Sequence, residues 1–412
     1  MNTDLLVITI LFILLAFSLG VGAQDLPRFH QRQFAISFWV GPPAEYATDE
    51  AYAQIREAGF NVVMGGFGGS SQEAMQQQID LCQKHGLRLL AHSPGTPADQ
   101  LPASPAIWGY MLRDEPNTAG FAELATQVAE IRVARPYKLS YINLLPDYAN
   151  AGQLGAPTYT DYVKRFIDEV KPDVLSMDYY PIFKPEGDGR DGYCGCLAVM
   201  REQSLEAGIP YWNFFNTMPY GPHTDPTEDQ LRWQIYATLV YGAKGIMYFC
   251  YWTPRGGEFP KGGAIVTADG RRTRHWWQAQ RLNSELQFLG PTLMQLTSTK
   301  VTRMKPGQEA DLTGTGLARL WRAEPAADPE LDLLIGSFIH RDGRRAVLLM
   351  NYRFAHTAWP SVEFEVSADQ VLEVDKRTGE EHPVIDDSPD LEGLQISLDA
   401  GEGRLFLLPA IE

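Results

Sequence analysis

The sequence predicts an α/β protein of two parts: a (β/α)8 TIM barrel over residues 30–295 and a small all-β sandwich over residues 298–412. Up to about residue 291, short apolar runs alternate with amphipathic stretches, the pattern of parallel strands covered by helices. From about residue 299, apolar and polar residues alternate between Asp, Gly and Pro turns. The length of 412 residues, 44% of them hydrophobic, allows one large core and a smaller one.

The chain begins with an apolar run, Leu5 to Ala23, that ends in small residues. This pattern predicts a signal peptide over residues 1–24, with cleavage near Ala23 or Gln24. No Lys or Arg precedes the run, and it is nearly long enough to cross a bilayer, so a retained N-terminal anchor is the alternative. Either interpretation predicts that the remainder is exported, whether secreted, periplasmic or at the cell surface.

Eight strands and seven helices can be placed in the first part. Gly59, Gly86, Gly208 and Gly242 each follow a helical stretch, where a left-handed residue commonly ends a helix. Four prolines between Ser93 and Pro105 leave room for one helical turn at best in the third unit. The predicted strands are 34–40, 61–67, 87–92, 107–112, 138–144, 174–179, 211–216 and 245–251, and the helices are 49–58, 71–85, 121–134, 160–170, 197–207, 227–241 and 274–289.

Composition excludes several kinds of partner. The formal net charge of -16 disfavours nucleic acid and anionic membrane surfaces. No zinc-ligand spacing is present, and we expect neither a metal nor a cofactor. The glycine-rich loop at residues 65–69 lacks phosphate-loop spacing and predicts close approach of the backbone to a ligand. Cys82 and Cys250 are predicted to be buried free thiols, whereas Cys194 and Cys196 are close enough in sequence that a mutual bond would be strained.

The strongest chemical signal is an apolar strand, Ile107 to Leu112, followed by Arg113, Asp114, Glu115 and Pro116. Adjacent acids would cost several kcal/mol if simply buried, so they are expected in a polar cleft at the barrel mouth. Neighbours on a strand point to opposite faces, so one acid can face the mouth while the other supports the loops. A salt-bridged acid pair at the rim is the alternative.

This Trp-Gly-Tyr-Met-Leu-Arg-Asp-Glu-Pro string resembles the retaining glycoside hydrolases of clan A, particularly the β-galactosidase, agarase and endo-β-glucanase branches. Residues 233–251 and 276–289 look like the seventh helix, eighth strand and eighth helix of those enzymes. The resemblance implies a carbohydrate substrate, Glu115 as general acid/base, and Trp252 as a sugar platform. The residues expected to bind substrate are Trp39, His92, Asp114, Tyr180, Asn213, Tyr251 and Trp252.

One departure from the clan concerns its nucleophile, a Glu at the end of strand seven. Residues 210–217 contain no acid at this position. Asp178 at the end of strand six is the best-placed second carboxylate, and Glu186, Glu258 or no second carboxylate are the alternatives. If Asp178 acts, its short side chain leaves room for a water and favours inversion, and Glu115 should have a raised pKa.

The sequence therefore predicts a glycoside hydrolase that cleaves O-glycosidic bonds in a β-linked oligo- or polysaccharide. A non-catalytic glycan-binding barrel is the second hypothesis, and a lyase or isomerase is the third. The sandwich is expected to have a packing role, with carbohydrate binding through Trp321 and Trp359 as the alternative.

Overall fold

The computed structural model describes residues 26–184, 187–323 and 330–410. The predicted signal segment, Glu186 and most of the predicted linker at residues 323–330 lie outside the described residues. Within the described ranges, no helix has the length and apolar character needed to cross a membrane.

The first part contains two four-stranded parallel sheets, ordered β6-β7-β8-β1 and β2-β3-β4-β5. This is the cyclic strand order of a (β/α)8 barrel cut at two joins. Each strand lies within or close to its predicted range, although β4 continues to Asp114. The strands are Ala35–Phe38 (β1), Val62–Met64 (β2), Arg88–Ala91 (β3), Ile107–Asp114 (β4), Leu139–Asn143 (β5), Leu175–Asp178 (β6), Tyr211–Asn216 (β7) and Gly245–Phe249 (β8).

The predicted closed barrel is corrected at these two joins, where the strand ladders are not continuous. Between β1 and β2, the Asn61 side chain accepts from the Ile36 N–H and donates to the Phe34 carbonyl, both at 2.8 Å. Between β5 and β6, the Leu144 N–H donates to the Ser176 carbonyl at 2.8 Å. A side-chain amide at the first join and a backbone hydrogen bond at the second thus stand in place of a continuous ladder.

Helices cover the sheets in the predicted sequence order. As predicted, the proline-rich third unit has only a short turn, Ala98–Gln100. Helix α6 begins seven residues before its predicted start and contains both Cys194 and Cys196. All four cysteines are free; side chains two apart on a helix point about 200° apart, so those two cannot pair. The helices are Asp49–Glu57 (α1), Gln72–Lys84 (α2), Phe121–Ala134 (α3), Ala151–Leu154 (α4), Tyr159–Val170 (α5), Arg190–Ala207 (α6), Glu228–Val240 (α7) and Arg274–Leu293 (α8).

The space between the two parallel sheets is filled by large side chains. The Trp212 ring lies 6.1 Å from the Trp108 ring and 5.8 Å from the Tyr141 ring, and both contacts are stacked. Trp212 is fully buried, and its indole N–H donates to Gln31 at 2.8 Å. The lower barrel is therefore a packed core, so only the carboxyl ends of the strands are open to a ligand.

The second part is a sandwich of antiparallel sheets, as predicted. A six-stranded sheet, ordered β15-β14-β17-β12-β11-β9, faces a three-stranded sheet, ordered β10-β13-β16. Its own core contains Leu333, Val347 and Phe406. The strands are Leu296–Met304 (β9), Leu317–Trp321 (β10), Leu333–His340 (β11), Arg345–Asn351 (β12), Ser361–Phe364 (β13), Leu372–Val374 (β14), Glu381–Pro383 (β15), Leu394–Gln395 (β16) and Gly403–Leu408 (β17).

The outer face of the six-stranded sheet packs against α7. The Trp233 ring of α7 lies 5.2 Å from Tyr352, edge to face. At Gly336, an added Cβ would lie 2.6 Å from the Val240 carbonyl, so only glycine permits this approach. Buried residues of both parts form one continuous apolar cluster, which supports the predicted packing role of the sandwich.

Candidate active site

A cavity of about 210 Å³ opens at the carboxyl ends of the parallel strands. A second cavity of about 450 Å³ adjoins it on the side of β2 to β4, and the two share Trp39, Asp114 and Asn143. The smaller cavity is lined by Trp39, Asp114, Glu115, Asn143, Tyr148, Asp178, Tyr180, Phe214, Tyr220 and Phe249. Aromatic and acidic side chains therefore form its wall, a composition suited to sugar rings.

Glu115 follows the last residue of β4. Its backbone has a φ of 46°, in the left-handed region that a non-glycine residue seldom adopts. Its N–H donates to the Asn143 carbonyl at 2.9 Å, which fixes this conformation. Backbone strain of this kind concentrates at functional sites. The turn brings both Asp114 and Glu115 to the cavity, instead of placing one on each face of the strand as predicted.

The carboxyl groups of Glu115 and Asp178 both line the smaller cavity, and each influences the ionisation of the other. Burial, followed by the charge of Glu115, raises the pKa of Asp178 well above its usual value. Desolvation, followed by the charge of Asp114, raises the pKa of Glu115. The two acids therefore titrate as a pair that retains a proton above the usual carboxyl range.

Asn143, the last residue of β5, connects the acids. Its amide donates to Asp178 at 2.9 Å and to Asp114 at 3.3 Å. Its side-chain oxygen accepts from the Ser176 hydroxyl at 3.0 Å, and that hydroxyl also contacts the Tyr141 hydroxyl at 2.8 Å. These contacts fix the amide orientation, so that both of its N–H groups face carboxylates.

Phenylalanine occupies the mouth on the side of β7 and β8. Phe214 of β7 is paired with Asp178 in the strand register and lines the cavity. Its ring lies 6.0 Å from Trp39, and the Phe249 ring lies 5.1 Å from Tyr180. No acid of β7 lines the cavity, as the absence of an acid in residues 210–217 predicted.

Three of the predicted sugar-binding residues lie elsewhere. Asn213 is buried and donates to Tyr193 at 2.6 Å and Thr238 at 2.9 Å, because β7 turns this side chain toward α6 and α7. Tyr251 stacks on Phe38 at 4.5 Å on the outside of the sheet. Trp252 packs against Tyr46 at 4.9 Å. Both follow β8, where the chain turns along the end of β1, with the Tyr251 N–H bonded to the Trp39 carbonyl at 2.9 Å.

The other predicted residues line the two cavities. Trp39 and Asp114 contribute to both, Tyr180 lines the smaller and His92 the larger. Burial lowers the pKa of His92, which keeps its ring neutral. A Cβ at Gly66 would lie 2.6 Å from the His92 ring. The glycine-rich loop was predicted to let the backbone approach a ligand, and in the structure the backbone at Gly66 approaches the His92 side chain.

Of the two remaining candidates for a second carboxylate, the one that the structure describes, Glu258, does not line the smaller cavity. Glu258 is exposed on the loop after β8, and its neighbour Phe259 packs 5.8 Å from Tyr220. Glu186 lies outside the described residues. Among the residues that the structure describes, no group of three or more His, Cys, Asp or Glu side chains is arranged to hold a metal ion.

Five residues of the smaller cavity were not among the predicted site residues: Asn143, Tyr148, Phe214, Tyr220 and Phe249. Asn143 ends β5, the strand next to β4, which leads into the acids. Its place at the end of that strand was the only sequence signal for it. Phe249 ends β8, two residues before Tyr251, which was predicted to bind substrate. Tyr148 and Tyr220 lie in loops after β5 and β7, for which no local pattern indicates the direction of the side chain.

A larger cavity of about 540 Å³ lies at the opposite, amino end of the strands. The Lys244 ammonium there donates to the carbonyls of Leu293 and Leu296, at 2.5 and 2.6 Å. Its other charged groups are also used in structural contacts, such as the Arg28 bond to Asp173 at 2.7 Å. The acid pair, not cavity size, therefore identifies the candidate active site.

The structure was compared with solved structures. A GH42 β-galactosidase from G. stearothermophilus, solved as a catalytic mutant, aligns with a TM-score of 0.62 and 9% identity over 93% of this chain and 99% of that one. The β-galactosidase from Bacillus circulans sp. alkalophilus aligns with a TM-score of 0.59 and 11% identity over 92% and 99%. The chain has the barrel fold of these enzymes.

The similarity lies in three-dimensional structure, since no protein-family model and no curated protein matches the sequence. The chain spans 60% of the length of a third β-galactosidase, from the psychrophilic Marinomonas ef1, over 62% of its own length, with 12% identity and a TM-score of 0.48. The expected resemblance to clan A barrel enzymes is thus confirmed for the fold.

Proposed function

We propose that the protein is a glycoside hydrolase that cleaves O-glycosidic bonds in a β-linked oligo- or polysaccharide. The observation that carries this proposal is that Glu115 and Asp178 line one aromatic-walled cavity at the mouth of the strands. The barrel fold shared with β-galactosidases supports it. Export, predicted from residues 1–24, is part of the same proposal.

In this proposal Glu115 is the general acid. Cleavage of a glycosidic bond requires a proton on the leaving oxygen, and a carboxyl group supplies it when its pKa lies above the usual range. The pKa of Glu115 is raised by burial and by Asp114. Glu115 is also exposed at the cavity opening, where a leaving group would lie, whereas Asp178 is only 4% exposed.

Asp178 is the second carboxylate of the proposal. Carboxyl groups that flank a sugar lie about 5–5.5 Å apart in retaining enzymes and about 6.5–9.5 Å apart in inverting ones. Asp178 lines the same cavity as Glu115 and is only 4% exposed, and burial, followed by the charge of Glu115, holds its pKa well above the usual value. Its role in this proposal is to share a proton with Glu115, and the water expected between the two carboxyl groups stays a prediction.

A glycan-binding barrel without catalysis is the second candidate function. The observation that favours it is the cavity wall on the side of β7, where Phe214 stands and no acid of that strand lies. An aromatic wall with no attacking group would bind a sugar ring without cleaving it.

The test is reducing-sugar release from a panel of glycans by the wild type, Glu115→Gln and Asp178→Asn, with binding to the same panel measured in parallel. We expect product from the wild type and at least a 100-fold loss in both variants. Trp252→Phe, which changes a ring packed away from the cavity, is the matched control and should retain activity. Saturable binding without product from the wild type would favour the binding protein.

A further inference from the structure

The small cavity has acids on one side and aromatic rings on the other. Glu115, Asp114 and Asp178 come from β4 and β6, whereas Phe214 and Phe249 line the side of β7 and β8. A sugar whose leaving oxygen contacts Glu115 would therefore have no acid of β7 or β8 at its opposite face. The question is which group attacks the anomeric carbon.

Asp178 is poorly placed to attack. It accepts from Asn143 at 2.9 Å, is only 4% exposed, and lies at the end of β6, on the acid side of the cavity. A nucleophile must approach from the face opposite the leaving group. Activation of water by Asp178 meets the same difficulty, because the water would also have to attack from that opposite face.

The cavity offers three chemical features around Asp178. The Asp178 carboxylate accepts hydrogen bonds. The side chains of Tyr148, which is 59% exposed, and Tyr220 line the same cavity as Asp178, and their hydroxyls are not hydrogen-bonded within the described part of the chain. A phenol hydroxyl is a neutral donor at ordinary pH, so each is available to a ligand in the cavity. The Tyr220 and Tyr180 rings each lie 5.1 Å from Phe249 and form the apolar surface between them.

An acetamido group matches these features. Its N–H would donate to Asp178, its carbonyl oxygen would accept from a tyrosine hydroxyl, and its methyl group would contact the phenylalanine wall. A sugar 2-hydroxyl would use the acceptor but would leave the apolar wall without a partner. One acetamido substituent would thus contact the apolar wall and accept a hydrogen bond from a tyrosine hydroxyl.

We infer that the substrate is a 2-acetamido-2-deoxy-β-glycoside and that its own acetamido oxygen is the nucleophile. This inference rests on the proposed function. The acetamido carbonyl oxygen forms a bond to the anomeric carbon while the bond to the leaving oxygen breaks, and Glu115 transfers its proton to that oxygen. Asp178 holds the N–H of the resulting oxazolinium ion.

The second step restores the starting groups. Water attacks the anomeric carbon, the bond to the acetamido oxygen breaks, and Glu115 takes the proton from the water. The products are the free alcohol and the 2-acetamido sugar with retained configuration. No protein carboxylate forms a covalent bond, so the absence of an acid in β7 has no chemical cost.

The test compares matched pairs of 4-nitrophenyl β-glycosides, glucoside and galactoside, each with a 2-acetamido or a 2-hydroxyl group. We expect kcat/KM at least 100-fold higher for the acetamido member of one pair. We also expect competitive inhibition by the thiazoline derivative of N-acetylglucosamine or N-acetylgalactosamine, which imitates the oxazolinium ion. Tyr220→Phe should reduce kcat on the acetamido substrate, and proton NMR should show the β-anomer as the first product.

Two results would overturn the inference in distinguishable ways. Hydrolysis of the 2-hydroxyl glycosides at equal or higher kcat/KM, without thiazoline inhibition, would leave a glycosidase with another nucleophile. Failure to hydrolyse either kind of glycoside or any oligosaccharide, together with no thiazoline binding in calorimetry, would end both the inference and the proposed function.

Discussion

At the scale of single residues, the site depends on a proton shared between two carboxyl groups. Glu115 and Asp178 each have a raised pKa, and burial is the largest cause for both. Asn143 opposes this effect by donating to Asp178. Since the acid function requires a proton on Glu115, pH and the Asn143 contact together should control activity.

The pH dependence of kcat/KM should have an alkaline limb that reports the acid pair. A raised pKa means that the proton is retained above the usual carboxyl range, so activity should persist there and fall as pH rises through the pKa of the pair. A pH profile measures this directly. An alkaline limb at the ordinary Glu value of 4.5 would contradict the shared proton.

Asn143→Ala should move that limb to higher pH. The amide lowers the pKa of Asp178, so its removal leaves the proton bound more tightly, while kcat should fall about tenfold because Asp178 is no longer oriented. Ser176→Ala, which removes the hydroxyl that contacts the Asn143 side-chain oxygen and the Tyr141 hydroxyl, should give a smaller shift in the same direction. Loss of kcat with an unchanged pH profile would indicate a purely structural role.

Asp178→Asn should stabilise the protein at neutral pH. The folded-state pKa of Asp178 is raised, so its contribution favours folding below the unfolded pKa and is lost as pH rises toward the folded pKa. Replacement by the neutral amide should gain about 1 kcal/mol at pH 7 and little at pH 4, by urea denaturation. Equal stability changes at both values would argue against a buried, protonated Asp178.

The direction of individual side chains in the site could not always be predicted from the sequence. Every residue of β7 is buried, so alternation alone does not show which face of this strand points into the barrel. Trp212 takes the inner face, and Asn213 therefore turns outward. Glu115 and Asp178 could be predicted as site residues because a charged side chain at the end of an apolar strand is unusual. Asn143 is uncharged and does not stand out from its strand in this way.

At the scale of elements, strand order and most boundaries follow from the sequence, because the alternation of strands and helices is regular. The sequence did not predict how β1 joins β2 or how β5 joins β6. The first of these joins depends on side-chain hydrogen bonds of Asn61. Trp252 was placed at the mouth because it follows β8, but the turn after Phe249 carries it away.

The contact of β4 with β5 positions the acid pair and can be tested at Gly109. A Cβ at this position would lie 2.2 Å from the Leu139 carbonyl, so Gly109→Ala must separate the two strands. We expect a loss of about 2–3 kcal/mol in unfolding free energy and reduced activity. Gly120→Ala is the control, because its Cβ meets no atom within 4 Å. Similar stability of the two variants would contradict the close strand approach.

At the scale of the whole molecule, the sandwich and the barrel share one apolar cluster. The composition predicted two cores, but it did not predict that α7 would bury one face against the six-stranded sheet. That contact needs Gly336, whose absent side chain admits the Val240 carbonyl. The two parts should therefore unfold together.

Calorimetry should show one unfolding transition for residues 26–412. Gly336→Ala should lower its midpoint without creating a second transition, because the added Cβ separates the parts but leaves each core intact. Two resolved transitions in the wild type would show that the shared cluster does not couple them.

The central claim is that Glu115 donates the proton to the leaving oxygen, and leaving-group dependence tests it most directly. The kcat/KM of Glu115→Ala, which reports the steps up to departure of the leaving group and not the later attack of water, should be compared with that of the wild type on a glycoside with a dinitrophenyl leaving group and on the corresponding oligosaccharide. The dinitrophenolate departs without a proton, so we predict a loss below about tenfold for the first substrate and above about 1000-fold for the second. Equal losses on both substrates, or no loss on the oligosaccharide, would contradict the assignment of Glu115 as the acid.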